Sequence, residues 1–225
     1  FLITQHHPVI SPHPDDEIIG CGGILDKFKR KHQISWTIIT KMQKGYKLKQ
    51  IEKRKKEIQK VKIKLNIKNF FNLDFNPKEL NRGNLEKLIE ELSMIIKKIK
   101  PQIILAPYLH DAHSDHFYTS YAINHILKVF RYPFIESCYY YETLSETNLS
   151  FSKAKKFNPN LYIDITKNIK NKIKLLKIYK SEIKKHPFPR SVTSLKSLAL
   201  LRGSESGYKF AEAFQIIYKR SKNEI

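Results

Sequence analysis

Apolar and polar positions along the chain follow two different periods. Short runs of apolar and β-branched residues predict strands, whereas longer segments with apolar residues every three to four positions predict helices. The predicted strands cover residues 5–11, 34–40, 69–73, 103–106, 137–142, 161–165 and 213–218. The predicted helices cover residues 17–31, 48–65, 84–100, 118–129 and 167–184.

The order of these elements predicts the fold class. Strands that alternate with helices of this length form βαβ units, in which the strands are parallel. We therefore predict an α/β fold, a single three-layer α/β/α domain with a mostly parallel, Rossmann-like sheet. The chain has no internal repeat and no long linker, and its 225 residues suit one such domain, so we assign residues 1–225 to it.

Two clusters of histidines and acidic residues directly follow predicted strands. The first lies within residues 11–17 and the second within residues 110–116. Their members are His13, Asp15, Asp16 and Glu17, then His110, Asp111, His113, Asp115 and His116. Because the carboxyl ends of parallel strands lie at one edge of a sheet, we expect the clusters to meet there. Carboxylates this close repel one another, and a bound cation is the simplest reason to keep them together.

The residue types suit a catalytic metal site. His13 and Asp16 from the first cluster and His116 from the second are candidate ligands. Two imidazoles and one carboxylate suit Zn²⁺, with Fe²⁺ as an alternative, and three protein ligands leave a position open. Asp15 is then the candidate general base for the attacking water. A protonated His113 is the candidate oxyanion-stabilising or acid group.

Each cluster alone also has a simpler interpretation. The carboxylates after Pro14 could cap the following helix, and His113 and His116 could be surface loop residues. The glycines at 20, 22 and 23 do not have the spacing of a phosphate-binding loop. We interpret them as positions of close packing between helix and strand.

The composition narrows the partners that we expect. The net charge is +21, but 35 of the 42 basic residues are Lys and only seven are Arg. Arg grips bases and phosphates bidentately, so its scarcity argues against nucleic-acid binding and for a compositional bias toward Lys. The charge still favours recruitment of an anionic small substrate.

The sequence also lets us predict the cellular compartment of the protein. The apolar runs are short and interrupted by Lys, and no signal peptide is visible, so we predict a cytoplasmic protein with at most peripheral membrane contact. Cys21 and Cys138 are too widely spaced to make a disulfide framework, and we expect two reduced, buried thiols.

The motifs resemble those of a known family. Ser-Pro-His-Pro-Asp-Asp-Glu-Ile-Ile-Gly-Cys-Gly-Gly at 11–23 closely resembles the N-terminal motif of the PIG-L/LmbE-type deacetylases. His-Ser-Asp-His at 113–116 matches the family's downstream His-x-Asp-His motif. An Arg-x-x-Glu pair at 54–57 and the segment 202–214 resemble further family motifs more weakly.

The resemblance implies a hydrolase that removes an N-acyl group, usually acetyl, from an amino sugar with the help of zinc. It implies a set of residue roles, which we carry over position by position. They are His13, Asp16 and His116 as zinc ligands, Asp15 as general base, His113 as oxyanion stabiliser, Asp115 as the residue that orients a histidine ring, and Arg54 and Asp74 as substrate contacts. Some members carry a substrate-binding Tyr where this chain has Asp111, so that specificity does not carry over. Arg54 has an alternative interpretation as one charge on a solvated helix face.

The substrate stays open at this stage. We expect an N-acetylated amino sugar of glycan, lipopolysaccharide or small-thiol biosynthesis, and the net charge favours a phosphorylated or nucleotide-linked one. Two alternatives are a zinc amidohydrolase acting on a non-sugar N-acyl or N-formyl compound, and a basic protein with a vestigial site that binds nucleic acid or membrane surfaces. The sequence also leaves a homo-oligomer open.

Overall fold

A seven-stranded sheet forms the centre of the structure, a computed structural model that describes residues 6–43, 45–151 and 156–220. The strands run in the order β3-β2-β1-β4-β5-β7-β6. They are β1 (His6–Ser11), β2 (Gln33–Thr40), β3 (Asn69–Phe75), β4 (Ile103–Pro107), β5 (Ser137–Tyr141), β6 (Leu161–Asp164) and β7 (Ala211–Lys219). Strands β1 to β5 pair in parallel, and β7 pairs antiparallel with both β5 and β6.

Six α-helices accompany the sheet in the described part of the chain. They are α1 (Asp16–Phe28), α2 (Leu48–Lys64), α3 (Leu85–Ile99), α4 (Ser114–Ile126), α5 (Ile169–Leu176) and α6 (Val192–Ser206), with a 3₁₀ turn at Arg82–Asn84. The hydrophobic core lies on both faces of the sheet. Val9 of β1 packs with α1, α2 and α5 on one face, and the next residue, Ile10, packs with α3 and α4 on the other. The predicted three-layer α/β/α fold with a mostly parallel sheet is confirmed.

The predicted helix over residues 167–184 is wrong in extent. Helix α5 ends at Leu176, and successive turns follow it, including one from the N–H of Tyr179 to the carbonyl of Leu176. Tyr179 is fully buried, so its tertiary contacts outweigh the local helical pattern. Helix α6 was not predicted, because its apolar residues do not lie on one face: Leu195 and Ala199 are buried, whereas Leu200 and Leu201 are exposed.

Helix α4 begins four positions before the prediction, at Ser114 rather than residue 118. His113 precedes it as the N-terminal cap, and its side chain accepts a hydrogen bond from the N–H of Asp115. The second polar cluster therefore lies partly on the first turn of a helix rather than wholly in a loop.

Close packing positions α1, which begins with Asp16 and directly follows Asp15. A Cβ added to Gly20 would lie 2.2 Å from the ring of Tyr141, and one added to Gly23 would lie 2.6 Å from Ile165. These glycines therefore permit close packing, as expected. Cys21 and Cys138 are free and buried. Across the described residues, no helix combines the length and apolar character that crossing a membrane requires.

Candidate active site

The three predicted metal ligands converge at the carboxyl edge of the sheet. His13 lies in the loop after β1, Asp16 is the first residue of α1, and His116 lies in the first turn of α4. Asp16 Oδ2 lies 3.5 Å from His13 Nδ1 and 3.3 Å from His116 Nε2. One donor atom of each residue lies within 4.8 Å of the other two. Because His116 is 1% exposed, its alternative interpretation as a surface loop residue is wrong.

A carboxylate faces the far side of each histidine in this triad. Asp115 Oδ2 lies 2.9 Å from His13 Nε2, and Asp111 Oδ2 lies 2.7 Å from His116 Nδ1. We assign a proton to each ring nitrogen that faces a carboxylate. His13 Nδ1 and His116 Nε2 then remain as acceptor atoms on the side of Asp16. Carboxylates behind histidine ligands orient the rings in metal sites.

The donor set fits a divalent cation. Donors around a tetrahedral zinc ion lie roughly 3.4 Å apart, between the 3.3 and 3.5 Å that separate Asp16 from the two histidines. Burial disfavours the charged ring of His13, yet its hydrogen bonds to Asp115 and Asp16 raise its pKa to about 9. Burial of His116 is likewise outweighed by Asp16 and Asp111, which raise its pKa well above the ordinary value. The carboxylates thus favour positive charge here, which a metal ion supplies in exchange for protons.

Asp15 lies beside this triad, and its side chain makes no capping hydrogen bond to α1. The carboxyl group is 1% exposed, and Arg190 Nη1 lies 3.1 Å from its Oδ2. Burial and the charge of Asp16 raise the pKa of Asp15 to about 7, although Arg190 acts in the opposite direction. A carboxyl group whose pKa is near neutrality is well suited to accept and return a proton.

His113 forms part of the wall over the triad. Its Nδ1 accepts a hydrogen bond from the backbone N–H of Asp115 at 3.0 Å. Burial and the charge of His13 lower the pKa of His113. The protonated ring that we expect at His113 stays a prediction. A lowered pKa favours the neutral ring, and because Nδ1 accepts a hydrogen bond, the proton of the neutral ring lies on Nε2. That N–H group can donate to an oxygen on which negative charge develops.

A cleft of about 590 Å³ opens above these residues and is also lined by Arg54 of α2. Arg54 is 5% exposed, so its alternative interpretation as one charge on a solvated helix face is wrong. Its Nη1 donates to the carbonyl of Pro14 at 2.8 Å, and its Nη2 contacts Ser181 and Glu182. Contact between Arg54 and a substrate stays a prediction.

Asp74 lies near the end of β3. Its side chain is 65% exposed and accepts hydrogen bonds from Lys41 at 2.9 Å and Gln43 at 2.6 Å. Among the described residues, Asp74 is not one that lines the cleft. Its predicted role in substrate binding stays a prediction without support from this arrangement.

Two residues of the site were not assigned from sequence. Asp111 holds His116 and itself accepts a hydrogen bond from Thr147 at 2.6 Å. Arg190 reaches Asp15 from the segment between α5 and α6, which carries no recognisable motif. The scarcity of Arg is the sequence signal that could have pointed to Arg190, because each Arg in a Lys-rich chain is unusual.

Comparisons with known proteins agree with this geometry. The profile of the PIG-L family, described as GlcNAc-PI de-N-acetylase, matches residues 8–127. A diacetylchitobiose deacetylase from Thermococcus kodakarensis is 23% identical in an alignment that covers 92% of this chain and 81% of that protein.

Solved structures share the fold. The N,N′-diacetylchitobiose deacetylase from Pyrococcus horikoshii superposes with a TM-score of 0.74 at 20% identity, covering 96% of this chain and 85% of that one. A 4-carboxy-2-hydroxymuconate hydratase from Pseudomonas putida superposes with a TM-score of 0.71 at 14% identity, covering 99% and 100%. Likeness of fold thus extends to a different reaction. The match to the family profile covers more than half of the chain and both polar clusters, so the chain belongs to the PIG-L family of deacetylases.

Proposed function

We propose that this protein is a metal-dependent deacetylase that removes the N-acetyl group of an amino sugar. One observation carries the proposal: the buried carboxyl group of Asp15 lines the same cleft as His13 and Asp16, which form a potential metal site with His116. A general base next to a three-residue metal site with an open position is the arrangement that metal-assisted amide hydrolysis requires.

The triad would hold the metal through His13 Nδ1, an oxygen of Asp16 and His116 Nε2. A bound Zn²⁺, or Fe²⁺ as the alternative, acts as a Lewis acid that polarises the substrate carbonyl and makes water more acidic. Asp115 and Asp111 keep the two imidazoles in the tautomers that leave these nitrogen atoms as acceptors.

Asp15 and His113 would carry the proton chemistry. Asp15 takes a proton from the attacking water and later returns it to the departing amine, so the same carboxyl group serves as base and then as acid. His113 donates from Nε2 to the carbonyl oxygen as negative charge develops there. Arg190 keeps part of the Asp15 population ionised despite its burial.

Two of the similar proteins support an amino-sugar substrate, since they are diacetylchitobiose deacetylases. A cleft of about 590 Å³ has room for a sugar with an attached group. Lys53 and Lys78 line this cleft and are exposed. They favour an anionic attached group such as a phosphate or a nucleotide.

Acetate release tests the proposal. The metal-loaded protein is incubated with N-acetylglucosamine, N,N′-diacetylchitobiose, UDP-N-acetylglucosamine and an N-acetylated amino acid. Release from at least one sugar and none from the amino acid supports the proposal. Release from the amino acid alone would favour the non-sugar amidohydrolase. The fold likeness to a hydratase makes hydration of an unsaturated acid the second reaction to assay, and that activity without acetate release would overturn the proposal.

A further inference from the structure

The peptide group between Pro14 and Asp15 is held from both sides by side chains. Its carbonyl oxygen accepts a hydrogen bond from Arg54 Nη1 at 2.8 Å. Its N–H donates to Glu17 Oε2 at 3.0 Å. These two polar atoms belong to a single planar unit, so the two bonds together fix its orientation. That orientation determines the φ angle of Asp15.

Tyr179 connects the two side chains that hold this peptide group. Its hydroxyl donates to Glu17 Oε1 at 2.6 Å. Its ring lies 5.5 Å from the Arg54 guanidinium carbon, a cation–π distance. Arg54 is further restrained by Glu57, with 3.3 Å between Nε and Oε2, and by contact with Glu182. Tyr179 and Glu17 are both fully buried.

Asp15 has a backbone conformation that requires external support. Its φ is 128° and its ψ is −27°, and a residue with a side chain is strained there by on the order of 1–3 kcal/mol. Its carbonyl already accepts the first hydrogen bonds of α1, from the N–H groups of Ile18 and Ile19. The chain therefore enters the helix directly from the strained residue, and the surroundings must impose that geometry.

We propose that Glu17, Arg54 and Tyr179 form a clamp that imposes the strained conformation of Asp15 and so directs its carboxyl group into the cleft. Glu17 and Tyr179 are positioning residues that act through Asp15. Glu17, in the first turn of α1, thus also fixes the backbone of Asp15. The catalytic consequence rests on the proposed function of Asp15, whereas the conformational consequence does not.

Three variants separate the parts of the clamp, and a fourth is the control. Glu17→Met removes the acceptor, Tyr179→Phe removes only the hydroxyl, and Glu17→Gln keeps a carbonyl oxygen for the N–H of Asp15. Tyr140→Phe also deletes a buried hydroxyl, one that donates to Asn124 at 2.9 Å and lies outside the cleft lining. If Glu17→Met does not fold, Tyr179→Phe takes its place.

Crystal structures of these variants test the conformational part directly. In Glu17→Met, the φ of Asp15 should leave the positive region, whereas Glu17→Gln and Tyr140→Phe should keep it. An unchanged φ of Asp15 in Glu17→Met, or in Tyr179→Phe where that variant replaces it, would overturn the clamp. This measurement does not depend on any substrate.

Kinetics with the N-acetylated sugar of the panel from which the wild type releases acetate fastest test the catalytic part. Glu17→Met and Tyr179→Phe should lower kcat by about 10- to 100-fold, the scale of a small misplacement of a catalytic group. KM and metal content should stay near the wild-type values, and Glu17→Gln should recover most of kcat. A merely structural role would lower the melting temperature of both Tyr variants and leave kcat unchanged, which contradicts the proposal. A wild-type protein that releases no acetate would instead count against the proposed function, and the φ of Asp15 would still decide about the clamp.

Discussion

Arg190 Nη1 lies 3.1 Å from Asp15 Oδ2, although 175 positions separate the two residues in the chain. Arg190 also lies 3.6 Å from Glu182, on the same side of the cleft. Burial and Asp16 raise the pKa of Asp15, and the guanidinium of Arg190 partly offsets them. The protonation of the proposed base therefore depends on a segment far from its own motif.

Loss of the Arg190 charge should move the pH dependence of the reaction. In Arg190→Met nothing replaces the positive charge beside Asp15, so the pKa of Asp15 rises further and its base form is lost at a higher pH. The acidic limb of the pH profile of kcat/KM should shift upward relative to the wild type. Arg131→Met, at an exposed arginine, is the control. Superimposable profiles for Arg190→Met and the wild type would remove Arg190 from this role.

A buried ion pair holds the middle of α1. Lys172 Nζ lies 2.6 Å from Glu212 Oε1, and Lys172 also donates to the carbonyl of Ile19 at 2.7 Å. The Glu212 carboxylate accepts from the N–H groups of Gly23 at 2.6 Å and Ile24 at 2.7 Å. Glu212→Gln leaves the buried Lys172 charge without its opposite charge, although the hydrogen bond to the carbonyl of Ile19 remains. The free energy of unfolding should fall by about 3–5 kcal/mol in urea titrations.

The double variant of this pair is its own control. Glu212→Gln with Lys172→Met removes both charges, so part of the lost stability should return. A loss below about 1 kcal/mol in Glu212→Gln alone would show that the pair does not hold α1 in place.

His7 should make the protein sensitive to acid. Burial, together with the charges of His32 and His6, lowers its pKa to about 4 from the ordinary value of 6.5. Between pH 6.5 and about pH 4, His7 therefore binds a proton in the unfolded chain but stays neutral in the folded chain. Stability is lost as pH falls through this window, by up to about 3 kcal/mol.

The variant His7→Leu removes this proton uptake. Urea unfolding at pH 7 and pH 4.5 should show a smaller decrease in the free energy of unfolding for His7→Leu than for the wild type. The comparison uses only the change with pH, so any constant effect of the substitution cancels. Equal decreases would mean that the folded protein accepts the proton at His7.

Much of the fold could be predicted from short apolar runs and from helical spacing. The pattern located β1 to β5 and α1 to α3 closely, because strands such as β2 are short apolar runs buried on both faces, and α2 and α3 carry apolar residues at helical spacing. Helix α6 could not be predicted because its apolar residues are spread around the helix, and the early end of α5 could not be predicted because the burial of Tyr179 determines it.

The candidate site, too, could be predicted only in part from the sequence. His13, Asp15 and Asp16 share one motif, and His113 and His116 share another, so spacing in sequence was enough to pair them. The sequence placed Asp111 in the second cluster but did not predict its role, because its contact with His116 depends on where α4 begins. Arg190 has no local pattern at all.

The metal-ligand assignment can be tested without activity. His116→Ala removes one of three donors and should lower the metal content of protein loaded with Zn²⁺ from about one ion per chain to a small fraction of that. His110→Ala is the matched control, because His110 belongs to the same cluster but not to the triad. Full zinc occupancy in His116→Ala, measured by elemental analysis, would contradict the assignment.

The most direct test compares acetate release by the wild type and Asp15→Asn at equal metal content. The wild type should release acetate from one or more of the N-acetylated sugars of the panel. Asp15→Asn should bind the metal but show a kcat lower by at least ~10²-fold, because it has lost the proton acceptor. Equal turnover by the two proteins, or no acetate from any sugar with the wild type, would contradict the account.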